Sequence, residues 1–257
     1  MPHNSFENIT VKELGSSFNL AKEVAYIAGK FLRKNIDGSK NVLLSKGRDI
    51  KLEIDLKAEQ LIKEHLCKYQ SYEILGEETG LTGPIGDFYW VIDPLDGTSN
   101  YFRNIPISCV SIALMSNLDP ILGVIYDFNN DELYSGSIEE KARMNKSIIS
   151  VSSFKDKKDS TLVTGIPAKM SYRDEEFKIM ISDFQSWKKI RMIGSAAMAS
   201  AYVASGKAEA YKENGIFLWD IAAGAAIVKA AGGEISITNH QPDYRVNAKF
   251  TNSKVEV

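Results

Sequence analysis

The stretch that decides the fold is Phe88-Tyr89-Trp90-Val91-Ile92-Asp93-Pro94-Leu95-Asp96-Gly97-Thr98-Ser99-Asn100-Tyr101. Its first residues, up to Ile92, form an apolar run that is typical of a buried strand. Pro94 has no N–H for the next ladder bond, so we expect the strand to end there. Gly97 lets the backbone approach a ligand closely, and the residues from Thr98 onward are typical of the start of a short helix.

This turn brings oxygen ligands together. We expect Asp93 at the end of the strand and Asp96 in the turn beyond it, with the Leu95 carbonyl between them. Mg²⁺ binds a few carboxylates and completes its shell with water and substrate phosphate. Backbone N–H groups at Gly97 and Thr98 suit a phosphate, because a helix N-terminus attracts anions. The segment predicts a metal and phosphate site, although Asp-Pro and Asp-Gly also occur in plain turns.

Two further acidic segments flank this one along the chain. Glu77-Glu78 comes before it and Trp219-Asp220 after it. Taken alone, the glutamate pair is typical of a solvated loop, and Asp220 is typical of a helix cap. The occurrence of all three acidic segments in this order is what favours one shared site.

At this point the sequence resembles the inositol monophosphatase family. The similar segments are Gly76-Glu77-Glu78, Trp90 to Tyr101, Ile190 to Ala197 with Ala204-Ser205-Gly206, and Trp219 to Gly224 with Ala231-Gly232-Gly233. The resemblance covers nearly the whole chain, from the first helix to about Asn252. It implies a Mg²⁺-dependent, lithium-sensitive phosphatase, a homodimer, and an α+β fold. That fold is a layered αβαβα sandwich with the metal site between its halves.

The resemblance also implies a role for each site residue. A first Mg²⁺ would be bound by Glu77, Asp93 and the Leu95 carbonyl, a second by Asp93, Asp96 and Asp220, and a third, weaker one by Glu77 and water. The attacking water would be oriented by the Thr98 hydroxyl and Asp55, with Glu78 supporting the ligands from behind. The phosphate would be held by the Gly97 and Thr98 amides, and the alcohol part of the substrate by Ser195, Ala196 and Glu213.

Two of these roles have ordinary structural alternatives. Asp55 lies just before a predicted helix and is also suited to a plain helix cap. Glu213 belongs to Lys212-Glu213-Asn214-Gly215, which is typical of a solvated turn.

The substrate branch is indicated by the residues after Thr98. Ser99-Asn100-Tyr101 is similar to the branch that acts on inositol and sugar monophosphates. We therefore expect hydrolysis of inositol monophosphate or a related sugar-alcohol monophosphate by a metal-activated water. Glu213 would accept hydroxyl hydrogen bonds and repel a second phosphate. Two alternatives stay open: a 3'-phosphoadenosine-5'-phosphate phosphatase and, as in some bacterial relatives, a partner of the transcription machinery.

The chain departs from the family pattern in two places. Leu52, in Asp49-Ile50-Lys51-Leu52, stands where the family usually has Thr, and we expect this to alter the loop that holds the third ion. The chain ends at Val257, soon after Asn252, so we expect the terminal helix of longer members to be missing.

Composition is typical of a globular enzyme. The chain has 257 residues, 44% of them hydrophobic and 25% charged, and we expect one catalytic unit with halves 1–145 and 146–257. A net charge of −2 gives no electrostatic case for direct nucleic-acid or membrane binding. Cys67 and Cys109 exclude a disulfide scaffold, and we expect both in the core. Residues 1–7 lack a signal-peptide pattern and no apolar run has membrane-spanning length, so we expect a cytoplasmic protein.

Apolar periodicity predicts mixed elements. Helices are predicted at 18–32, 56–66, 175–184 and 195–205 and from Asp220, and strands at 110–114, 121–126, 132–135, near Leu162, 190–193, 208–211 and 234–238. The charged, Ser-rich segment 139–160 is expected to be the seam between the halves. Because strands and helices do not alternate strictly, a doubly wound parallel sheet is not expected. His3, His65 and His240 lack metal-ligand spacing, and Gly-rich phosphate loops are absent.

Overall fold

The computed structural model describes residues 9–38, 40–46, 49–166 and 173–257. The helices in these ranges are α1 (Val11–Lys34), α2 (Glu53–Tyr69), α3 (Thr98–Phe102), α4 (Asp174–Gln185), α5 (Ala196–Ala204) and α6 (Leu218–Ala230). The strands are β1 (Val42–Lys46), β2 (Asp49–Leu52), β3 (Glu73–Gly76), β4 (Gly80–Leu81), β5 (Phe88–Asp96), β6 (Cys109–Ser116), β7 (Asp119–Asp127), β8 (Glu132–Ser137), β9 (Arg143–Met144), β10 (Ser147–Ile148), β11 (Thr161–Thr164), β12 (Lys189–Arg191), β13 (Ala210–Phe217), β14 (Glu234–Thr238) and β15 (Arg245–Thr251).

Two mixed sheets organise the chain. The first has eight strands in the order β10-β9-β8-β7-β6-β5-β3-β4, and the second has five in the order β12-β11-β13-β15-β14. In the first sheet β3 and β5 run parallel, while the long strands β5 to β8 are antiparallel to their neighbours in this series. In the second sheet β11 is parallel to β12 and β13, and β15 is antiparallel to β13 and β14. This mixture confirms the α+β class.

The helices form three layers around the sheets. One face of the first sheet, which includes Trp90 and Ile92 of β5, is covered by α1 and α2, with α2 packed on β5 and α1 packed on β6 to β8. Its other face, with Val91, packs on α5 and α6, which lie between the two sheets. On the far side of the second sheet, Phe184 of α4 packs against Leu162. The order of layers is αβαβα, as predicted, and β5 reads as a continuous apolar run because it is buried on both faces.

The middle helix layer is built from small residues. Every residue of α6 from Ile221 to Val228 is buried, and α6 contacts strands of both sheets. A Cβ at Gly224 would lie 2.2 Å from the Ser200 Cβ, so the absence of a side chain allows α5 and α6 to pack closely. In the part of the chain that the structure describes, no helix is long and apolar enough to cross a membrane.

Strand β5 continues beyond Pro94, so the prediction that Pro94 ends it was wrong. Asp93 pairs with Ser111 and Asp96 with Cys109, which places one extra residue on β5. Such an insertion is a β-bulge, and Pro94 is accommodated there because the extra residue leaves the ladder. Residues three apart on a regular strand face opposite sides of the sheet. The bulge resets this alternation, and Asp93 and Asp96 border the same cavity.

The start of α2 also differs from the prediction. The helix begins at Glu53, so Asp55 is its third residue rather than the residue before it. The Asp55 carboxylate accepts the N–H of Leu52 at 2.8 Å. This is the acidic half of a capping box, in which the third helical residue reaches back to the residue before the helix.

The segment around Glu213 is a strand and not a solvated turn. Strand β13, predicted only for 208–211, extends to Phe217 because its residues pair along β15, with a bulge between Asn214 and Ile216. Glu213 is 8% exposed. The partner strand β15 was not predicted.

Three further predictions concern the cysteines, the segment 139–160 and the N-terminal residues. The cysteine prediction was half right, because Cys109 is buried and Cys67 is exposed. The first sheet ends with β10 at Ile148 and the second begins at Thr161, so residues 149–160 connect the sheets, and the earlier part of the segment 139–160 contributes β9 and β10 to the first sheet. The signal-peptide prediction and His3 lie outside the described residues.

Candidate active site

One cavity of about 200 Å³ collects most of the predicted site residues. Those at its wall are Glu77, Asp93, Leu95, Asp96, Gly97, Thr98, Ser195, Ala196, Glu213 and Asp220. The first six come from the β3–β4 turn, β5 and the start of α3, and the other four from α5, β13 and α6. The cavity therefore lies between the two sheets. Among the described residues, five carboxylates line this cavity, and no lysine or arginine does.

Glu77, Asp93 and Asp220 form the most compact acidic group. Each offers one carboxylate oxygen, and these oxygens all lie within 4.8 Å of one another. Asp93 is 1% exposed, whereas Glu77 and Asp220 are half-buried because they border the cavity. The group fits a hard divalent cation, since such ions bind several carboxylate oxygens at close range.

The electrostatics of this group favour a bound cation. Burial, followed by the charge of Glu78, raises the pKa of Glu77 to about 8. Burial and the neighbouring carboxylates raise the pKa values of Asp93 and Asp220 well above the ordinary aspartate range. Burial and like charge both disfavour ionised carboxylates, and a positive ion would relieve both.

The bulge of β5 and the turn after it shape the part of the cavity that Gly97 and Thr98 line. The Leu95 N–H donates to the Asp93 carboxylate at 2.9 Å, and the Thr98 hydroxyl donates to the Leu95 carbonyl at 2.9 Å. Gly97 has φ +87°, and a Cβ there would lie 2.7 Å from the Ile107 carbonyl oxygen. Only glycine readily adopts this positive φ and also avoids the contact with the Ile107 carbonyl, so Gly97 is required for the turn into α3.

Asp96 connects the first sheet to the start of α5. Its Oδ2 accepts the Ser195 hydroxyl at 2.5 Å and the Ala197 N–H at 2.7 Å, at the beginning of α5. Burial raises the pKa of Asp96 to about 6, while these hydrogen bonds oppose the shift. The Ser195 hydroxyl also caps α5 by accepting the Met198 N–H at 3.2 Å. Asp96 lies outside the compact acidic group but borders the same cavity.

Glu213 of β13 also lines the cavity. Its Oε2 accepts the Tyr211 hydroxyl at 3.0 Å, and a Cβ at Gly165 would lie 2.6 Å from that oxygen. Burial raises the pKa of Glu213 to about 7. The side chain therefore points a polar end into the cavity from the second sheet.

Two predicted residues lie behind the cavity wall. Asp55 is 1% exposed, and its charge contributes to the raised pKa of Glu77. Glu78 pairs with Lys51 of β2 at 3.0 Å, and its side chain is 4% exposed. The structure thus places both carboxylates next to the acidic group but outside the cavity wall itself.

Comparison with known proteins identifies the chain's relatives. A sequence profile of the Inositol monophosphatase family matches residues 14–255. The chain belongs to the inositol monophosphatase family. It is 41% identical over 221 residues to the Nus factor SuhB of Xylella fastidiosa, a match covering 84% of this chain and 80% of that protein.

Solved structures of the family share the fold. The extragenic suppressor protein suhB of Bartonella henselae superimposes with a TM-score of 0.81 at 30% identity, covering 91% of this chain and 93% of the other. The inositol monophosphatase of Anabaena (Nostoc) sp. PCC 7120 gives a TM-score of 0.79 at 32% identity, covering 93% and 91%. The inositol monophosphatase family consists of metal-dependent phosphatases, which agrees with the acidic cluster of this chain.

Sequence reasoning missed Glu59 of this inositol monophosphatase family member. Glu59 is 0% exposed and accepts hydrogen bonds from the turn that carries Glu77 and Glu78. A signal was present, because Asp55 and Glu59 are four residues apart and share the buried face of α2 with Ala58 and Ile62. Two acidic residues on the apolar face of a helix need partners in the interior.

Proposed function

We propose that this protein is a Mg²⁺-dependent phosphomonoesterase that hydrolyses inositol monophosphate or a related sugar-alcohol monophosphate. The observation that carries the proposal is the compact group of Glu77, Asp93 and Asp220, which lies in one cavity with Gly97 and Thr98. When bound, two to three Mg²⁺ ions would neutralise phosphate charge and lower the pKa of the attacking water.

Charge supports the need for a cation. A phosphate monoester carries close to two negative charges at neutral pH, and the described lining of the cavity has carboxylates without lysine or arginine. Such a cavity repels phosphate until positive ions compensate it. Substrate binding and metal binding are therefore coupled in this site.

The residues divide into those that hold the ions and those that place the reacting groups. We propose as metal ligands Glu77, Asp93, the Leu95 carbonyl, Asp96 and Asp220. The Thr98 hydroxyl would orient the attacking water from the cavity wall, and the resemblance assigns the same task to Asp55, which would act from behind the wall, where Glu78 would support the ligands. The Gly97 and Thr98 amides hold the phosphate.

The alcohol part of the substrate would face Ser195, Ala196 and Glu213. Because the Ser195 hydroxyl donates its proton to Asp96, it can only accept a hydrogen bond from the substrate. Glu213 has one oxygen engaged by Tyr211. These groups suit a polyol, because its hydroxyls can donate hydrogen bonds to them. They disfavour a second phosphate, because its oxygens are also hydrogen-bond acceptors.

Phosphate release from inositol 1-phosphate by the purified protein tests the proposal. Activity is expected with Mg²⁺, is expected to disappear in EDTA after dialysis, and is expected to return when Mg²⁺ is restored. Inhibition by Li⁺ is expected as well. Full activity in EDTA would contradict the proposal.

A relative's name favours a second candidate function. The protein of Xylella fastidiosa that is 41% identical to this chain is named a Nus factor. We propose as an alternative that this chain also binds the transcription machinery through its surface. The test is complementation of cells that lack the protein by the Asp93→Asn variant. If this variant has no phosphatase activity but still complements, the result favours the binding role over catalysis. The predicted homodimer and cytoplasmic location stay predictions.

A further inference from the structure

A buried carboxylate behind the candidate metal site takes no part in the roles above. Glu59 accepts the Glu78 N–H at 2.8 Å through Oε2, and accepts the Thr79 N–H at 3.1 Å and the Thr79 hydroxyl at 2.5 Å through Oε1. The Lys63 ammonium lies 2.9 Å from Oε1. Both oxygens are thus held by donors from the turn between β3 and β4 and from the next turn of α2.

The space for this carboxylate exists because residue 76 is glycine. A Cβ at Gly76 would lie 2.6 Å from Cδ and from Oε2 of Glu59. Real Cβ atoms do not approach other heavy atoms so closely, so a side chain at this position would displace the carboxylate or the turn. The end of β3 therefore lies directly against Glu59.

Glu77 lies between two anchored backbone amides. Its own N–H donates to the Ile92 carbonyl at 3.2 Å, one residue before Asp93 on β5. The next N–H, that of Glu78, donates to Glu59. With the amides on both sides of its Cα fixed, Glu77 has a defined direction, and its carboxylate meets those of Asp93 and Asp220.

We propose that Glu59 is a positioning residue that holds Glu77 in its metal-binding direction and thereby sets the affinity of the site for a divalent cation. The inference rests on the proposed function only in taking the Glu77, Asp93 and Asp220 group to bind a metal. Partners that orient a ligand from outside the coordination shell change metal affinity or activity by about 10- to 100-fold.

Glu59→Gln is the most direct change. Glutamine has the same shape, but its NH₂ group replaces an acceptor and would face the N–H of Glu78 or Thr79. A buried donor that faces another donor is unsatisfied, so we expect the turn to shift and carry Glu77 with it.

The test measures Mn²⁺ binding by electron paramagnetic resonance of the free ion. Glu59→Gln is expected to raise the Kd for Mn²⁺ about tenfold or more. At saturating Mg²⁺ the KM for inositol 1-phosphate is expected to stay unchanged, because Glu59 does not touch the cavity. A rise in KM with unchanged Mn²⁺ affinity would contradict the inference.

Glu209→Gln is the matched control. Glu209 is also a buried carboxylate, 5% exposed, and it accepts the Thr161 N–H at 2.6 Å outside the cavity. The same chemical change there is expected to lower the melting temperature and leave the Mn²⁺ Kd unaltered. An equal rise in Kd in both variants would assign the effect to general destabilisation and overturn the inference.

Gly76→Ala is a second variant. It places a Cβ against the Glu59 carboxylate and leaves Glu59 itself unchanged. If circular dichroism shows that Glu59→Gln does not fold, Gly76→Ala carries the test and is expected to weaken Mn²⁺ binding. If the folded variants bind Mn²⁺ with wild-type affinity, the inference about Glu59 is overturned, but the proposed function is not. A wild-type protein that binds no Mn²⁺ would instead overturn the metal site, and the proposed function with it.

Discussion

At the scale of single residues, Asp93 is the most deeply buried carboxylate of the compact acidic group. It is 1% exposed, its pKa is raised by burial and by Glu77, and it meets both Glu77 and Asp220. If it bridges two ions as proposed, its loss disturbs both. The neighbouring Leu95 amide, which Asp93 holds at 2.9 Å, would also lose its partner.

Asp93→Asn is expected to lower kcat by about three orders of magnitude or more, because it would weaken the carboxylate that the family resemblance implies is shared by two ions. Steady-state phosphate release at saturating Mg²⁺ measures this. Asp127→Asn is the control, since Asp127 is buried in the same sheet, outside the cavity, and accepts the Asn129 N–H at 2.9 Å. Its kcat per folded molecule is expected to stay within about twofold of wild type, and a similar loss in both variants would contradict the role of Asp93.

Thr98 allows a second prediction at this scale. Thr98→Ala is expected to lower kcat far more than it raises KM, because in the proposed mechanism the hydroxyl places the attacking water while the backbone amides would still hold the phosphate. Thr98→Ser retains the hydroxyl and is expected to retain most of kcat. If Thr98→Ala has wild-type kcat and a raised KM, Thr98 is a substrate-binding residue instead.

At the scale of elements, the bulge and turn at the end of β5 shape the site. The bulge places Asp93 and Asp96 on one cavity, and Gly97 turns the chain directly into α3. Asn100 of α3 then donates to the Ile107 carbonyl at 2.8 Å and to the Ile193 carbonyl at 2.7 Å. The last contact reaches the loop before α5, so this short element joins the two sides of the cavity.

Gly97→Ala tests the close approach at this turn. The substitution combines the cost of φ +87° with a Cβ 2.7 Å from the Ile107 carbonyl oxygen, so we expect a loss of about 2–3 kcal/mol in unfolding free energy and a lower kcat. Gly232→Ala is matched in φ, at +87°, but has open space around the new Cβ. It is expected to cost about 1 kcal/mol and to leave kcat unchanged. Equal effects of the two changes in urea unfolding would contradict the steric argument.

At the scale of the whole molecule, the folding of two sheets against each other concentrates negative charge. Burial raises the pKa of Glu77 to about 8, that of Asp96 to about 6 and that of Glu213 to about 7. Without metal, the folded chain therefore keeps protons that the unfolded chain releases near pH 4 to 5. Charge in the cavity thus acts on the stability of the fold as well as on the substrate.

The melting temperature of the metal-free protein is expected to fall as pH rises from about 5 to 8. In this window the native state binds more protons than the unfolded state, so unfolding releases protons and is favoured by high pH. Mg²⁺ is expected to raise the melting temperature more at pH 8 than at pH 5, because ligands must be deprotonated to bind metal. Differential scanning fluorimetry with and without EDTA measures both effects. Glu77→Gln is expected to weaken the pH dependence, and a metal-free melting temperature that rises over this range would contradict the raised pKa values.

The choice of substrate also belongs to this scale, because the residues proposed to hold the phosphate follow β5 of the first sheet, whereas Glu213 lies on β13 of the second. We expect kcat/KM for inositol 1-phosphate to exceed that for 3'-phosphoadenosine 5'-phosphate by about tenfold or more, equivalent to roughly 1.4 kcal/mol. Glu213→Gln is expected to narrow this ratio by reducing repulsion of the second phosphate, whereas Glu209→Gln is expected to preserve it. A wild-type preference for the nucleotide would overturn the substrate assignment and leave the metal site intact.

The amino-acid sequence by itself determined the elements whose signals are local. The apolar spacing of α1, the alternation of β6 and the small residues of α6 each follow from burial of one face or of all faces. The motif segments around Glu77, Asp93 and Asp220 also indicated the family, the fold class and a metal site. In each case the residues that carry the signal are neighbours in the chain.

The tertiary structure decided what depends on contacts between distant segments. The prediction that Pro94 ends β5 failed because the bulge that accommodates Pro94 forms only when β5 pairs with β6. Glu213 lies on a strand despite its turn-like sequence because β15 pairs with it. Glu59 gained its position from a turn about twenty residues further along the chain. The raised pKa values have the same origin, since burial and neighbouring charge arise only when both sheets close around the cavity.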